Sequence, residues 1–122
     1  MPKPVDPSGE RFRLVFEGSA LGIALIGRDG RSLHVNPALE RMLGYSEAEL
    51  ASVPFHDLTH PEDRPHYREQ FARLVAGDIP QYKVDKRYLH KSGAVVWARL
   101  TASTVADTSG VFGHAIVMVE DV

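Results

Sequence analysis

Apolar residues change their spacing several times along this chain, and each change marks an element. Phe12, Val15 and Phe16 recur at helical intervals over residues 10–16, which predicts a short amphipathic helix ended near Gly18. Residues 22–27 form an apolar run of strand length. Asp29-Gly30 follows and predicts a two-residue hairpin turn in which both central residues take positive φ. A second strand returns over residues 32–36, where Leu33 and Val35 alternate with Ser32 and His34. Pro37 suits the first turn of a helix, because its missing N–H costs nothing there, and Asn36 is the natural cap. Leu39, Met42 and Leu43 give that helix an apolar stripe, and Gly44-Tyr45 ends it. Ser46 and Glu49 are spaced as a capping box for another short helix, after which Pro54 breaks the chain.

The second half opens with Thr59-His60-Pro61-Glu62, a further capping-box pattern. It precedes the longest helix, with Pro65 in the first turn and Tyr67, Phe71, Leu74 and Val75 on one face. Gly77-Asp78-Ile79-Pro80 stops it. Residues 81–90 then alternate Tyr82, Val84 and Tyr88 against Lys83, Asp85 and Arg87, a half-solvated strand. Ser92-Gly93 turns the chain. Residues 94–105 carry Val96, Ala98, Leu100 and Ala102 on one face and Trp97, Arg99, Thr101 and Ser103 on the other. Asp107-Thr108-Ser109-Gly110 turns again, and residues 111–120 are the last strand. Three hairpin signals and a central block of helices argue for an α+β fold: a five-stranded antiparallel sheet with helices packed on one face. The other face carries apolar residues and is expected to pack on the N-terminal helix or on a partner.

Composition narrows the function classes. The 122 residues suit one domain, 43% apolar and 25% charged. A net charge of −2 advertises neither nucleic acid nor an anionic membrane. Lys83, Lys86, Arg87 and Lys91 form a mild basic run that Asp85 interrupts, read as a solvated strand face. With no cysteine, no disulfide, thiolate metal site or cysteine nucleophile is available. No apolar run reaches the length of a membrane helix, and no signal core opens the chain, so a cytoplasmic domain is expected. Residues 1–9 read as a linker and 10–122 as the domain, with a cap helix over 10–18. Residues 119–122 open a linker to a downstream domain, and the stop at Val122 suggests a piece of something longer.

Gly22 to Ile26, Asp29-Gly30, Asn36-Pro37-Ala38 and Leu43-Gly44-Tyr45 together resemble the opening of a PAS sensory domain. The later residues resemble it too: His60-Pro61-Glu62-Asp63, Tyr88 to Gly93, Trp97, and Val119-Glu120-Asp121-Val122, which matches the start of the family's closing Asp-Ile-Thr signature. The resemblance runs from Glu10 to Val122. It implies a cavity between helices and sheet that holds haem, flavin, a small metabolite or nothing detectable. It also implies homodimers and relay to an output domain such as a histidine kinase or a diguanylate cyclase. The expected structural motif residues are Asp29, Gly30, Asn36, Pro37, Gly44, Tyr45 and Gly93.

His56, His60 and His66 are the closest histidines, but no His-Glu-x-x-His pattern exists, so no metal site is expected. His66 opens the long helix where some PAS relatives place a haem ligand, yet it lies about 100° off the apolar stripe. A colourless protein is therefore expected. The lack of cysteine excludes the covalent flavin photochemistry of the light-oxygen-voltage branch and leaves noncovalent flavin open. Trp97 could stack on a flavin, but packing or a dimer surface is the commoner use of such a residue. Ser103, His114 and Asp121 lack a nucleophile elbow, and Asp85 alternates with Tyr82 and Tyr88, so no catalytic residue is expected. The candidate cavity residues are Leu25, Val35, Tyr67, Phe71, Leu74, Val96, Leu100, Val117 and Val119. Signal relay falls to Glu120, Asp121 and Val122. The first expectation is a sensor that binds a small ligand. The alternative is a ligand-free module that dimerises through the N-terminal helix and the open sheet face.

Overall fold

A computed structural model describes residues 7–106 and 112–122. Residues 1–6 of the expected linker and the expected turn at 107–110 lie outside the described residues. Helix α1 spans Pro7–Gly18, starting before the expected Glu10. Strands β1 (Gly22–Ile26) and β2 (Ser32–Val35) follow, then helices α2 (Pro37–Leu43), α3 (Glu47–Ala51) and α4 (Phe55–Leu58). A 3-10 turn at Pro61–Asp63 leads into the long helix α5, Arg64–Ala76. Strands β3 (Gln81–Leu89), β4 (Val95–Ala106) and β5 (Phe112–Asp121) complete the chain. The five strands form one antiparallel sheet in the order β2-β1-β5-β4-β3. Among the described residues, no helix is long and apolar enough to cross a membrane.

Local chemistry accounts for most element ends. Ser46 and Glu49 form the expected capping box, each side chain accepting the other's backbone N–H at 3.1 Å. Gly44 and Gly77 end α2 and α5 with φ of 80° and 82°, a region that favours glycine. Gly44 is fixed twice, since a Cβ there would lie 2.5 Å from the His90 ring. Three expectations are corrected. Among the described residues no non-glycine has positive φ, so Asp29-Gly30 is not a two-residue turn with both central residues left-handed. Instead the Gly30 N–H donates to the Gly27 carbonyl, Asp29 Oδ1 accepts from the Arg31 N–H, and only Gly30 is left-handed, with φ 83°. Thr59 does not cap the helix that follows; His60 Nδ1 accepts the Glu62 N–H, and Thr59 turns inward. Helix α4, after Pro54, was not foreseen: four residues show too little periodicity to be read.

Strand alternation sorts the sheet into two faces. Val84, Leu100, Val119 and Gly22 pair in register across four strands, as do Tyr82, Ala102, Val117 and Ala24. This face meets Leu39, Leu43, Leu50, Phe55, Tyr67 and Leu74 from the helices to form the core. The opposite face leaves Trp97, Val95 and Met118 exposed. Segment 54–63 crosses between the two sheet edges. Phe55 N–H donates to the Gly30 carbonyl beside β2, and His60 N–H donates to the Arg87 carbonyl on β3. Both edge strands are thereby partly covered, which limits strand-to-strand association.

Candidate functional site

Helix α5 and the β1–β2 turn face each other across a cleft of about 580 Å³. Tyr67, Phe71 and Val75, which recur at helical spacing on the face α5 turns inward, supply an apolar wall together with the exposed Ala72. Pro54 and Gly30 close the other side, and Arg28, Asp29, His56 and Arg68 surround the mouth. Arg68 Nη2 donates to His56 Nε2 at 2.9 Å, so Nδ1 is the protonated nitrogen and faces Asp57 Oδ1 at 3.3 Å. An apolar lining with a few convergent polar groups is the usual make-up of a small-molecule site.

A smaller recess of about 180 Å³ opens on the other flank of α5, lined by Glu62, Asp63, His66, Tyr67, Val84, Asp85 and Lys86. Its charges are mostly committed. Asp63 takes the Arg87 guanidinium through both carboxylate oxygens, at 2.9 and 3.0 Å, and also accepts the Arg87 backbone N–H. These bonds hold its carboxyl down at about 2. Glu62 meets the same guanidinium at 3.0 Å, and Asp85 pairs with Arg99 across the outer sheet face. Lys86 is the exception. It is 2% exposed, its Nζ donates to Thr59 Oγ1 at 2.9 Å, and it lies over the rings of Tyr67 (3.7 Å) and Tyr88 (4.3 Å). Burial drives its amine well below the ordinary lysine range. The hydroxyls of Tyr82 and Tyr88 are buried without a hydrogen-bond partner among the described residues.

The expected cavity residues divide. Val35, Tyr67, Leu74, Leu100, Val117 and Val119 are buried in the core, and Phe71 and Val96 pack against it. Only Tyr67 and Phe71 of this set line the cleft. Leu25 is a correction: it pairs with His34 and Ile116 and points to the opposite face from Ala24 and Ile26. The apolar run 22–27 gave no alternation from which to choose its face. Lys86 corrects the reading of a solvated basic run. It shares the parity of Val84 and Tyr88, so the alternation that marked those residues as internal also placed Lys86 inside. Asp85 is exposed while Tyr82 and Tyr88 are buried, as their alternation required. His66 is exposed and lines the smaller recess rather than the cleft. Asp121 pairs with Ala98 at the far end of β5 from His114, which pairs with Val105, so Ser103, His114 and Asp121 do not assemble. Among the described residues, no cluster of three His, Asp or Glu is placed to hold a metal.

The structural motif residues hold the frame around this site. Asn36 is fully buried and caps α2 from Oδ1, which accepts the N–H groups of Leu39 (3.1 Å) and Ile23 (2.8 Å). Its Nδ2 donates to the carbonyls of Phe16 and Leu21, both at 2.9 Å, so one side chain joins α1, β1 and α2. Pro37 sits in the first turn of α2. Tyr45 packs against the core, and Gly93 turns β3 into β4 with φ 94°. Glu120 and Asp121 are exposed at the end of β5, and the Val122 N–H donates to the Trp97 carbonyl.

Comparison with known families decides the kinship. A family model described as the PAS fold matches residues 32–119. The chain belongs to the PAS family. This PAS domain is 41% identical over 120 residues to the probable diguanylate cyclase DgcE of Escherichia coli, covering 98% of the chain and 11% of that protein. It is 36% identical over 99 residues to the sensor histidine kinase TmoS of Ectopseudomonas mendocina, covering 81% and 10%. The chain therefore spans about a tenth of the length of these curated relatives. Among solved structures, the PAS domain of a Colwellia psychrerythraea protein superposes with a TM-score of 0.86 at 20% identity, covering 96% of this chain and 98% of that one. That likeness carries the fold alone. The expected five-stranded antiparallel α+β architecture is the one found.

Proposed function

We propose that this PAS domain is a cytoplasmic sensory module that binds a small molecule in the cleft between α5 and the β1–β2 turn. It passes the occupied state to an output domain. The carrying observation is the cleft itself, roomy enough for a small metabolite and lined by Tyr67, Phe71 and Val75 beneath a polar mouth. Relay runs through β5, which lies at the centre of the sheet between β1 and β4 and leads to Glu120-Asp121-Val122. The relatives named above supply the kinds of output domain: a diguanylate cyclase or a histidine kinase. A ligand shifts such a switch only as far as its affinity differs between the two states. The module works by binding rather than by catalysis, and needs neither haem nor flavin to do so.

Exposed apolar residues favour a second reading, a module that pairs with a second copy of itself. Phe12, Leu14 and Val15 are exposed on α1, and Trp97 and Met118 on the outer sheet face. Native mass spectrometry of the purified chain tests both. A retained small-molecule adduct supports the sensor, and a ligand-free dimer supports the docking module. A monomer that acquires no adduct from a metabolite extract sinks both.

A further inference from the structure

Lys86 is the only charged residue among the buried ones described. An ammonium has three N–H donors, and here one of them meets Thr59 Oγ1. Among the described residues Lys86 forms no ion pair, and the rings of Tyr67 and Tyr88 offer only their faces. Tyr88 is fully buried, and its hydroxyl has no hydrogen-bond partner among the described residues. A buried amine with spare N–H donors and no carboxylate in direct contact is costly to hold protonated unless something else compensates the charge.

Geometry supplies a place for that compensation. Lys86 lines the smaller recess and Tyr67 lines both the recess and the cleft, so the Tyr67 ring, 3.7 Å under Lys86 Nζ, is the wall the two share. Displacing one aromatic side chain would join them into a single chamber with an apolar body and a cationic end. Glu62 and Asp63 also line the recess, as does Asp85, whose carboxylate pairs with Arg99 on the outer sheet face, and each acid is engaged by an arginine. Their residual field opposes anions of high charge and suits a partner with a single negative charge.

We propose that Lys86 anchors the acid group of an apolar monocarboxylate whose aromatic or aliphatic body lies along Tyr67, Phe71 and Val75. The proposal rests on the cleft being the sensory site and adds the class of ligand. The carboxylate takes the ammonium donors that Thr59 leaves free. Neutral analogues of the same shape leave the cation uncompensated.

Calorimetric titration of the 122-residue chain with matched probes tests this. The acids are phenylacetate and hexanoate; the neutral partners are phenylacetamide and hexanamide. The acids are expected to bind at least about tenfold more tightly, the effect of one charge-assisted contact. A lysine side-chain NMR resonance that Lys86→Met removes should move when the acid is added. Lys86→Met should bind acid and amide alike while keeping the circular dichroism of the folded domain. If that variant does not fold, the acid-to-amide ratio of the unmodified chain still decides. Equal affinities, or a preference for the amides, overturn the anchor and leave the cleft reading standing. No binding by any of the four probes up to about 10 mM overturns both.

Discussion

Asn36 and Lys86 are buried polar side chains at opposite edges of the sheet, one closing β2 and the other within β3, and the fold treats them in opposite ways. Asn36 spends both functional atoms twice, accepting two backbone N–H groups and donating to two carbonyls. Nothing is left over for a ligand. Among the described residues, Lys86 has one hydrogen bond, two aromatic faces and no carboxylate partner. A satisfied buried group specifies structure, because every alternative arrangement leaves a donor or acceptor unpaired. An under-satisfied one is retained at a cost, and the cost marks a place where something else acts.

The largest effect should come from breaking the satisfied member. Asn36→Ala strands the N–H groups of Ile23 and Leu39, and frees the end of α1 from β1 and α2. Two buried orphan donors and a lost cap predict a loss of about 3–5 kcal/mol, read as a lower urea midpoint. A loss under about 1 kcal/mol would mean that water replaces the side chain, and the contrast with Lys86 would lose its meaning.

Asp63 comes next, because it fastens the turn that carries Thr59 to the strand that carries Lys86. Asp63→Asn removes the charge from a paired, partly exposed site and should cost about 1–2 kcal/mol at pH 7. The native carboxyl sits at about 2 against 3.8 for the free group. A depressed native value means that the stabilisation is complete above the unfolded value and is lost as pH falls from about 4 to about 2. Wild type and variant should therefore converge in urea midpoint near pH 2. The Asp63 charge also favours the protonated form of Lys86, so the same variant should depress that amine further, measurable by lysine NMR titration.

Much of this contrast is legible in the sequence, and the remainder is hidden for specific physical reasons. Asn36-Pro37 and Ser46 with Glu49 are local devices, complete within a few residues, and both cap as expected. The partners of Asn36 beyond Leu39, namely Phe16, Leu21 and Ile23, are tertiary, and no local pattern announces them. Gly44 was visible as a helix stop, but its contact with His90 joins segments far apart in sequence. The core residues of β3 to β5 followed from alternation, whereas Leu25 lay in an unbroken apolar run with no phase. Lys86 was legible in phase and misread in chemistry: its charge suggested solvent, while its parity put it between Val84 and Tyr88. Whether a cleft remained beside α5 depended on how closely the helices approach, which composition does not encode.

Removing the under-satisfied member should have the opposite sign. Lys86→Met keeps the length and apolar stem, and Thr59 Oγ1 still donates to the Phe55 carbonyl. Stability at pH 7 should be unchanged or raised by up to about 1 kcal/mol. The native amine lies below its unfolded value of about 10.4, so between the two the unfolded chain binds more protons. Wild-type stability should rise with pH across that window, and the variant should lack the rise, so their difference shrinks toward pH 10. Urea midpoints from pH 7 to 10 measure it. A clear loss of stability at pH 7 would make Lys86 a structural residue like Asn36.

The smallest effect belongs to Asp85, one residue from Lys86 on the same strand and facing the other way. Its pairing with Arg99, at 2.9 and 3.3 Å, joins β3 to β4 on a solvated face. Water and salt screen such a pair, so Asp85→Asn should leave the urea midpoint unchanged within error at moderate ionic strength. The acid-to-amide preference assigned to Lys86 should persist as well, because the two side chains leave opposite faces of the strand. If neutralising Asp85 shifted that preference as much as removing Lys86 does, the net field of the recess would govern ligand choice. The contrast between a satisfied and an under-satisfied buried group would then give way to one between strand edges of different charge.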